Sequence, residues 1–146
     1  MMAPAAVEIV PVRNAEQMAA AYAIRRRVFI EEQGIDENLE RGFDDLRAFH
    51  VLAIEGGQAV GCGRMILSVA RAKIGRMAVI RDQRGRGIGR MVLDHLVSAA
   101  RQSGAKLAYL HAQVPVEEFY LKSGFRPVGN IFDEAGIPHR RMELPL

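Results

Sequence analysis

Apolar positions recur along the chain with two periods, and each change of period marks an element. Residues 7–12, VEIVPV, alternate and read as a half-buried strand. From Asn14 the spacing becomes helical: Asn14 can cap, Gln17 stands at the capping-box position, and the pattern runs to Phe29 and Ile30 before breaking near Gly34. Residues 36–45 are acidic and polar, which predicts a loop or short helical turn. Strands are predicted over 49–55 and 58–67, joined by a hairpin turn at Gly56-Gly57, and a further strand over 73–80. A helix follows over 87–102, with Ile88, Met91, Val92, Leu96 and Ala99 on one face and a partly buried His95 beside them. Gly104 stops it. Residues 106–112 form a strand parallel to the previous one, because a helix crosses between them. A short helix over 116–122 ends at Gly124, and the remainder, with turns near Gly129 and Gly136, closes as an antiparallel hairpin. This order predicts an α/β fold: a mixed sheet with helices on both faces.

Composition narrows the setting. With 146 residues, 49% hydrophobic and 25% charged, the chain suits one soluble domain, 1–146, with a single core. No apolar run approaches the roughly 20 residues that span a bilayer. The opening MMAPAAVEIVPVR lacks a basic region followed by an apolar one, so no secretory signal is expected. Cys62 is alone, reads as buried filler, and leaves a cytoplasmic location as the expectation. The histidines are scattered without metal-ligand spacing. The net charge of +3 admits nucleic acid as a partner, but the arginines cluster at 25–27 and 81–90 without the aromatic residues that stack on single strands.

The second arginine cluster, RDQRGRGIGR, runs directly into the long helix. A helix N-terminus carries unsatisfied N–H groups and a dipole that favours anions. Gly85, Gly87 and Gly89 let a ligand approach the backbone, and Arg84, Arg86 and Arg90 offer charge and planar donor forks. A phosphate-bearing ligand is therefore expected, against the alternative of a turn with solvated arginines. The spacing does not match a P-loop, because Arg90 stands where lysine and then serine or threonine are required. It does not match the dinucleotide fingerprint either, because Arg90 or Val92 occupies the third glycine position.

Arg84-Gly85-Arg86-Gly87-Ile88-Gly89 does resemble the R-x-x-G-x-G acetyl-CoA motif of the GNAT superfamily of N-acyltransferases, and Gly75-Arg76-Met77-Ala78-Val79 resembles the strand before it. The stretch VEEFYLKSGF, 116–125, resembles the family's later F-Y-x-x-x-G-F segment. VFIEEQGI (28–35), Asp44-Asp45 through Phe49-His50, and EAGIPHRRM (134–142) resemble the ElaA-like branch. The resemblance implies a mostly antiparallel GNAT sheet whose central parallel strands, 73–80 and 106–112, splay apart at the acetyl group. It implies acetyl-CoA as cosubstrate, no metal, an amine acceptor and direct transfer in a ternary complex. Homodimers are common in the family.

The implied cofactor contacts are Met77, Ala78 and Val79, then Arg84, Gly85, Arg86, Gly87, Ile88, Gly89 and Arg90, with Tyr120 at the sulfur. A backbone N–H near 77–79 would polarise the thioester, and Tyr120 would protonate the departing thiolate, or else be a core aromatic beside Phe119. Many relatives carry a glutamate on the strand before the loop, whereas Ile74-Gly75-Arg76-Met77 holds no carboxylate. The base candidates are Glu32, His50, His111 and Glu117, each with a structural alternative. Glu134 and His139 could line the acceptor site, and Leu110 and Phe119 could set acyl depth. The acidic run Glu31, Glu32, Asp36 and Glu37 would attract a cationic amine, or would be a solvated loop. The missing glutamate also admits a non-catalytic acyl-CoA-binding or sensor domain.

Overall fold

The computed structural model describes residues 6–146; the first five residues of the expected 1–146 domain, which open the stretch read for a leader, lie outside them. The elements run β1 (Val7–Pro11), α1 (Ala15–Arg25), α2 (Glu37–Glu40), α3 (Asp44–Arg47), β2 (Phe49–Glu55), β3 (Gln58–Ser68), β4 (Arg71–Val79), α4 (Ile88–Gln102), β5 (Leu107–Gln113), α5 (Glu117–Leu121), β6 (Arg126–Glu134) and β7 (Ile137–Pro145). Seven strands form one sheet in the order β1-β2-β3-β4-β5-β7-β6, antiparallel except for β4 and β5.

Side-chain direction along β3 places the helices. A Cβ on Gly63 would fall 2.7 Å from Val92 and 2.9 Å from Leu96, so α4 lies almost on the backbone there and only glycine fits. The adjacent Arg64 points the other way, to Asp45, which also holds Arg25 of α1. Successive strand residues face opposite sides of a sheet, so α1 and α4 cover opposite faces. Ile88, Val92, Leu93, Leu96, Val97 and Ala100 fill the α4 side. Met91, expected on that inner stripe, is instead exposed, and Leu93 takes its place; one residue of helix is about 100° of rotation.

Two further expectations change in detail. The first helix gives way after Arg25 to a π-helical segment, Arg26–Glu32, which apolar spacing over two turns does not separate from an α-helix. Gly129 is not a turn: it lies within β6 with φ +81°, at the register shift between Val128 and Phe132. A glycine of that conformation inside a strand makes a bulge.

Under the sheet lies a buried ionic cluster. Arg25, 1% exposed, donates Nε and Nη2 to the Glu40 carboxylate at 2.5 and 3.0 Å and Nη1 to Asp45 at 2.8 Å. Arg64 donates to Asp45 at 2.7 Å. This cluster anchors α2 and α3, whose own four-residue helices are too short to persist alone. Burial would raise the Asp45 carboxyl, but the hydrogen bonds and charge of Arg25, then those of Arg64, hold it well below the usual carboxylate range. A group depressed in the folded state adds stability above its unfolded value of about 4 and loses it as pH falls below that. Thermal melts at stepped pH should therefore show stability level above about pH 5 and falling below about pH 4, and Asp45→Asn should flatten that fall.

Candidate functional site

The site forms where β4 and β5 part. Their parallel pairing covers only Arg71, Ala72 and Lys73 against Leu107, Ala108 and Tyr109. Beyond it both strands diverge, each held by its outer neighbour. On β4 the divergence coincides with a bulge. Cys62 pairs with Ala78 and Arg64 with Gly75, so Gly63 alone stands against both Arg76 and Met77. Arg76 takes up the extra residue at φ +48°, a conformation costly for a side chain other than glycine. A bulge leaves a backbone amide outside the ladder, here at the mouth of the splay.

Two cavities meet at this point, of about 530 and 580 Å³, and Met77, Arg84, Val116 and Tyr120 line both. The first follows the glycine loop. Gly85 and Gly87 adopt φ +80° and +84°, and Gly87 is the N-cap of α4, with no side chain capping the first turn. A Cβ on Gly87 would meet nothing within 4 Å, so the amides there open onto free space. Met77, Ala78, Val79, Arg84, Gly85, Gly87, Ile88, Gly89, Arg90 and Tyr120 all line this cavity; Arg86 does not. Arg86 turns away to Glu55, donating at 2.9 Å, and also bonds Gln83. Arg84 donates Nε to the Val79 carbonyl at 2.8 Å and Nη2 to both Glu32 oxygens at 3.0 Å, and Arg90 bonds Asp94 at 3.2 Å. The arginines expected to supply free charge are thus paired with carboxylates. The unsatisfied donors of the loop are its backbone amides.

The second cavity lies between the splayed strands and the α1 side. His111 Nδ1 stands 2.9 Å from Glu134 Oε1, and His139 Nε2 stands 3.6 Å from Glu134 Oε2. Phe132 packs edge-on against His111 with centroids 5.0 Å apart. A carboxylate only accepts, so His111 donates from Nδ1, and in the neutral ring Nε2 carries the lone pair. The hydrogen bond from His111 holds the Glu134 carboxyl below its usual range, its partial burial opposing. His139 is buried and donates Nδ1 to the Ile137 carbonyl at 2.7 Å. Tyr120, at the junction, packs edge-on against Phe119 and Phe125, and burial pushes its phenol up to about 12.

The other predicted residues lie elsewhere. His50 is buried on β2, donates Nε2 to the Asp45 carbonyl at 2.9 Å and lines neither cavity. Glu32 lines neither and braces Arg84 and Arg81. Glu117 forms an ion pair with Arg140, 2.9 Å apart without hydrogen-bond alignment. The acidic run does not reach the cleft: Glu31 and Glu37 flank Arg26, and Asp36 caps α2 through the Asn38 amide. Leu110 lines the second cavity and Phe119 the first. Sequence reasoning passed over Arg64, Lys73 and Arg76, which line the second cavity. The signal was there: Arg64 is a lone cation inside the apolar strand GCGRMIL.

The comparisons with known proteins agree with this geometry. The family model for the acetyltransferase (GNAT) domain matches residues 10–146. The chain is 32% identical to the uncharacterized N-acetyltransferase YjcF of Bacillus subtilis, over 89% of this chain and 94% of that protein. It is 30% identical to the protein ElaA of Escherichia coli, over 86% of each. The crystal structure of ElaA superposes with a TM-score of 0.85 at 26% identity, over 94% of this chain and 99% of that one. An Elizabethkingia anophelis GNAT acetyltransferase solved with acetyl-CoA bound shares the fold, with a TM-score of 0.74 at 17% identity over 96% and 98% of the two chains. With the family model spanning nearly the whole chain, and with the splayed strand pair, the β4 bulge and the glycine loop in place, this protein belongs to the GNAT family of acetyltransferases and is an acyltransferase.

Proposed function

We propose that the protein transfers an acetyl group from acetyl-CoA to a primary amine by direct attack in a ternary complex. The observation that carries this reading is the meeting of two cavities at the β4 bulge beside Tyr120. One cavity has the glycine-loop amides of a pyrophosphate cradle; the other has a histidine with a free ring nitrogen. The Elizabethkingia relative, with acetyl-CoA bound in the same fold, supports that ligand for the first cavity.

Acetyl-CoA supplies an acetyl group activated as a thioester. The amides of Gly87, Ile88 and Gly89 hold the pyrophosphate at the α4 N-terminus. The strand backbone at Met77, Ala78 and Val79 takes the pantetheine arm, and an amide of the bulge donates to the thioester carbonyl as negative charge grows there. One such donor lowers a barrier by roughly 3–4 kcal/mol. The amine nitrogen attacks from the second cavity. The C–N bond forms and the C–S bond breaks. His111 Nε2 receives the proton released from nitrogen, with Glu134 orienting the ring and stabilising its charge. Tyr120 donates its phenolic proton to the departing sulfur. Glu32 and Arg86 are positioning residues: Glu32 steadies Arg84, and Arg86 ties the loop to Glu55.

Release of free CoA thiol, followed with a panel of amines, tests the reading. His111→Asn should lower kcat by about 100-fold. Tyr120→Phe should lower kcat by roughly tenfold or more while leaving the Kd for acetyl-CoA near wild type. A phenol held up near 12 stays protonated across the working range, so the rate should show no alkaline decline from Tyr120 below about pH 11. Unchanged turnover in both variants would remove these residues from the mechanism.

A further inference from the structure

The charge of the second cavity points to the acceptor's chemistry. Register places its residues on one face. Lys73 pairs with Ile66 and with Tyr109, and Arg64 pairs with Gly75. Paired residues share a face, and His111 follows Tyr109 by two positions. Arg64, Lys73 and His111 therefore face the same space, with Arg76 at the bulge between them.

Four cations, Arg64, Lys73, Arg76 and Arg84, line the cavity with three carboxylates, Glu40, Asp44 and Glu134. Glu40 is held by Arg25, Asp44 by Arg47 and Arg84 by Glu32, and the Asp45 carboxylate is shared between Arg25 and Arg64. Arg76 reaches no carboxylate: its Nε donates to the Glu40 carbonyl at 3.1 Å and its Nη2 to the Leu39 carbonyl at 3.3 Å. Burial, then the charges of Arg64 and Arg25, pull its guanidinium below the ordinary arginine value, with Glu40 and Asp45 opposing. Arg64 is 6% exposed and spends Nη1 on Asp45; its other nitrogens have no partner among the described residues, yet none is sealed from solvent, and the side chain lines the cavity. Lys73 lines the same cavity, forms no ion pair among the described residues, and is near enough to Glu134 for its charge to help lower that carboxyl. A buried guanidinium with spare donors, beside two more cations, is a receptor for an oxyanion. Of the lining carboxylates, Glu40 and Asp44 are paired with Arg25 and Arg47, and Glu134 sits between His111 and His139.

We propose that the acceptor is an amine that also carries a carboxylate, held by Arg64, Arg76 and Lys73 while its amino nitrogen faces His111. The assignment rests on the acetyl-transfer reading and names its substrate class: free amino acids and molecules built like them. A volume of about 580 Å³ admits an amino acid with its side chain. A simple polyamine, which the acidic 31–37 run would have suited, meets arginines and a lysine instead.

The test compares L-amino acids with their α-amides as acceptors, and phosphoethanolamine with ethanolamine, by thiol release. In parallel, N-acetylamino acids and N-acetylamino acid amides are titrated calorimetrically into the CoA-loaded protein. Loss of a charge-assisted contact set should cost at least about tenfold, so the best acid should exceed its amide by that factor in kcat/KM, mostly through KM. Lys73→Met should narrow the ratio, and Lys73→Arg should restore it. An amide used as well as its acid, with no carboxylate preference in the titration, overturns the assignment. A preference for the phosphate-bearing amine alone also overturns it, leaving the cationic pocket to a different anion. Carboxylate-selective binding without turnover keeps the anion site and overturns the transfer reading instead.

Discussion

Gly87→Trp is expected to abolish acetyl-CoA binding in a calorimetric titration that gives a clear isotherm for the wild type. Two effects add. At φ +84° any side chain strains the backbone, by about 1–3 kcal/mol. The indole also fills the open space in front of the α4 N-terminus, where the loop amides would otherwise reach a pyrophosphate. Losing two hydrogen bonds to a charged oxygen lowers affinity by roughly 100-fold or more. Gly87→Ala separates the contributions. Its Cβ meets nothing within 4 Å, so it introduces strain without obstruction and should weaken binding far less. Because the arginines of the loop are already paired with Glu32, Glu55 and Asp94, replacing Arg86 should change affinity little beside Gly87→Trp. If the tryptophan variant binds like the wild type, the α4 N-terminus is not the phosphate site.

Arg25→Met should be among the most destabilising single changes in the protein. The methionine fills much of the same volume, but Glu40 and Asp45 are left buried without their shared cation. Breaking a buried pair by removing one partner costs about 3–5 kcal/mol. For a domain of this size that lowers Tm by on the order of 10 °C, measurable by calorimetry or circular dichroism. Arg25→Lys should restore little, because an ammonium cannot reproduce the fork that grips two carboxylates and the Glu40 carbonyl at once. The effect should reach the chemistry along a defined route. Arg25 holds Glu40, and the carbonyls of Leu39 and Glu40 hold Arg76 in the bulge. At temperatures where the variant is folded, KM for the amine should rise while the Kd for acetyl-CoA, whose proposed cavity lies on the other side of the sheet opening, stays near wild type. A variant as stable as the wild type would show that the cluster contributes nothing net, as some buried ion pairs do.

Much of the fold was legible in the order of residues. Alternation and helical spacing are local properties, and they located β1 to β5, the long helix and the glycine loop within a few positions, while β6 and β7 were legible only as a closing hairpin. The paired motifs around Gly87 and Tyr120 pointed to the family for the same reason: each is a short run with its own backbone requirement. Local pattern could not show the π-helical turn after Arg25 or the bulge at Gly129, because both shift register without changing which residues are apolar.

The site divides in the same way. Sequence alone located the glycine loop at the start of α4, since φ above zero at Gly85 and Gly87 and the start of a helix are properties of neighbouring residues. It could not choose among Glu32, His50, His111 and Glu117, because that choice depends on contacts far apart in the chain. Tertiary structure placed Glu134 against His111 across 23 positions of the chain, tied Glu32 to Arg84 across 52, and buried His50. It also gathered Arg25, Glu40, Asp45, Arg64 and Arg76 from five separate elements into one cluster. Charge in a sequence is only a sum; the field at a site depends on which charges folding brings within a few ångströms and removes from water.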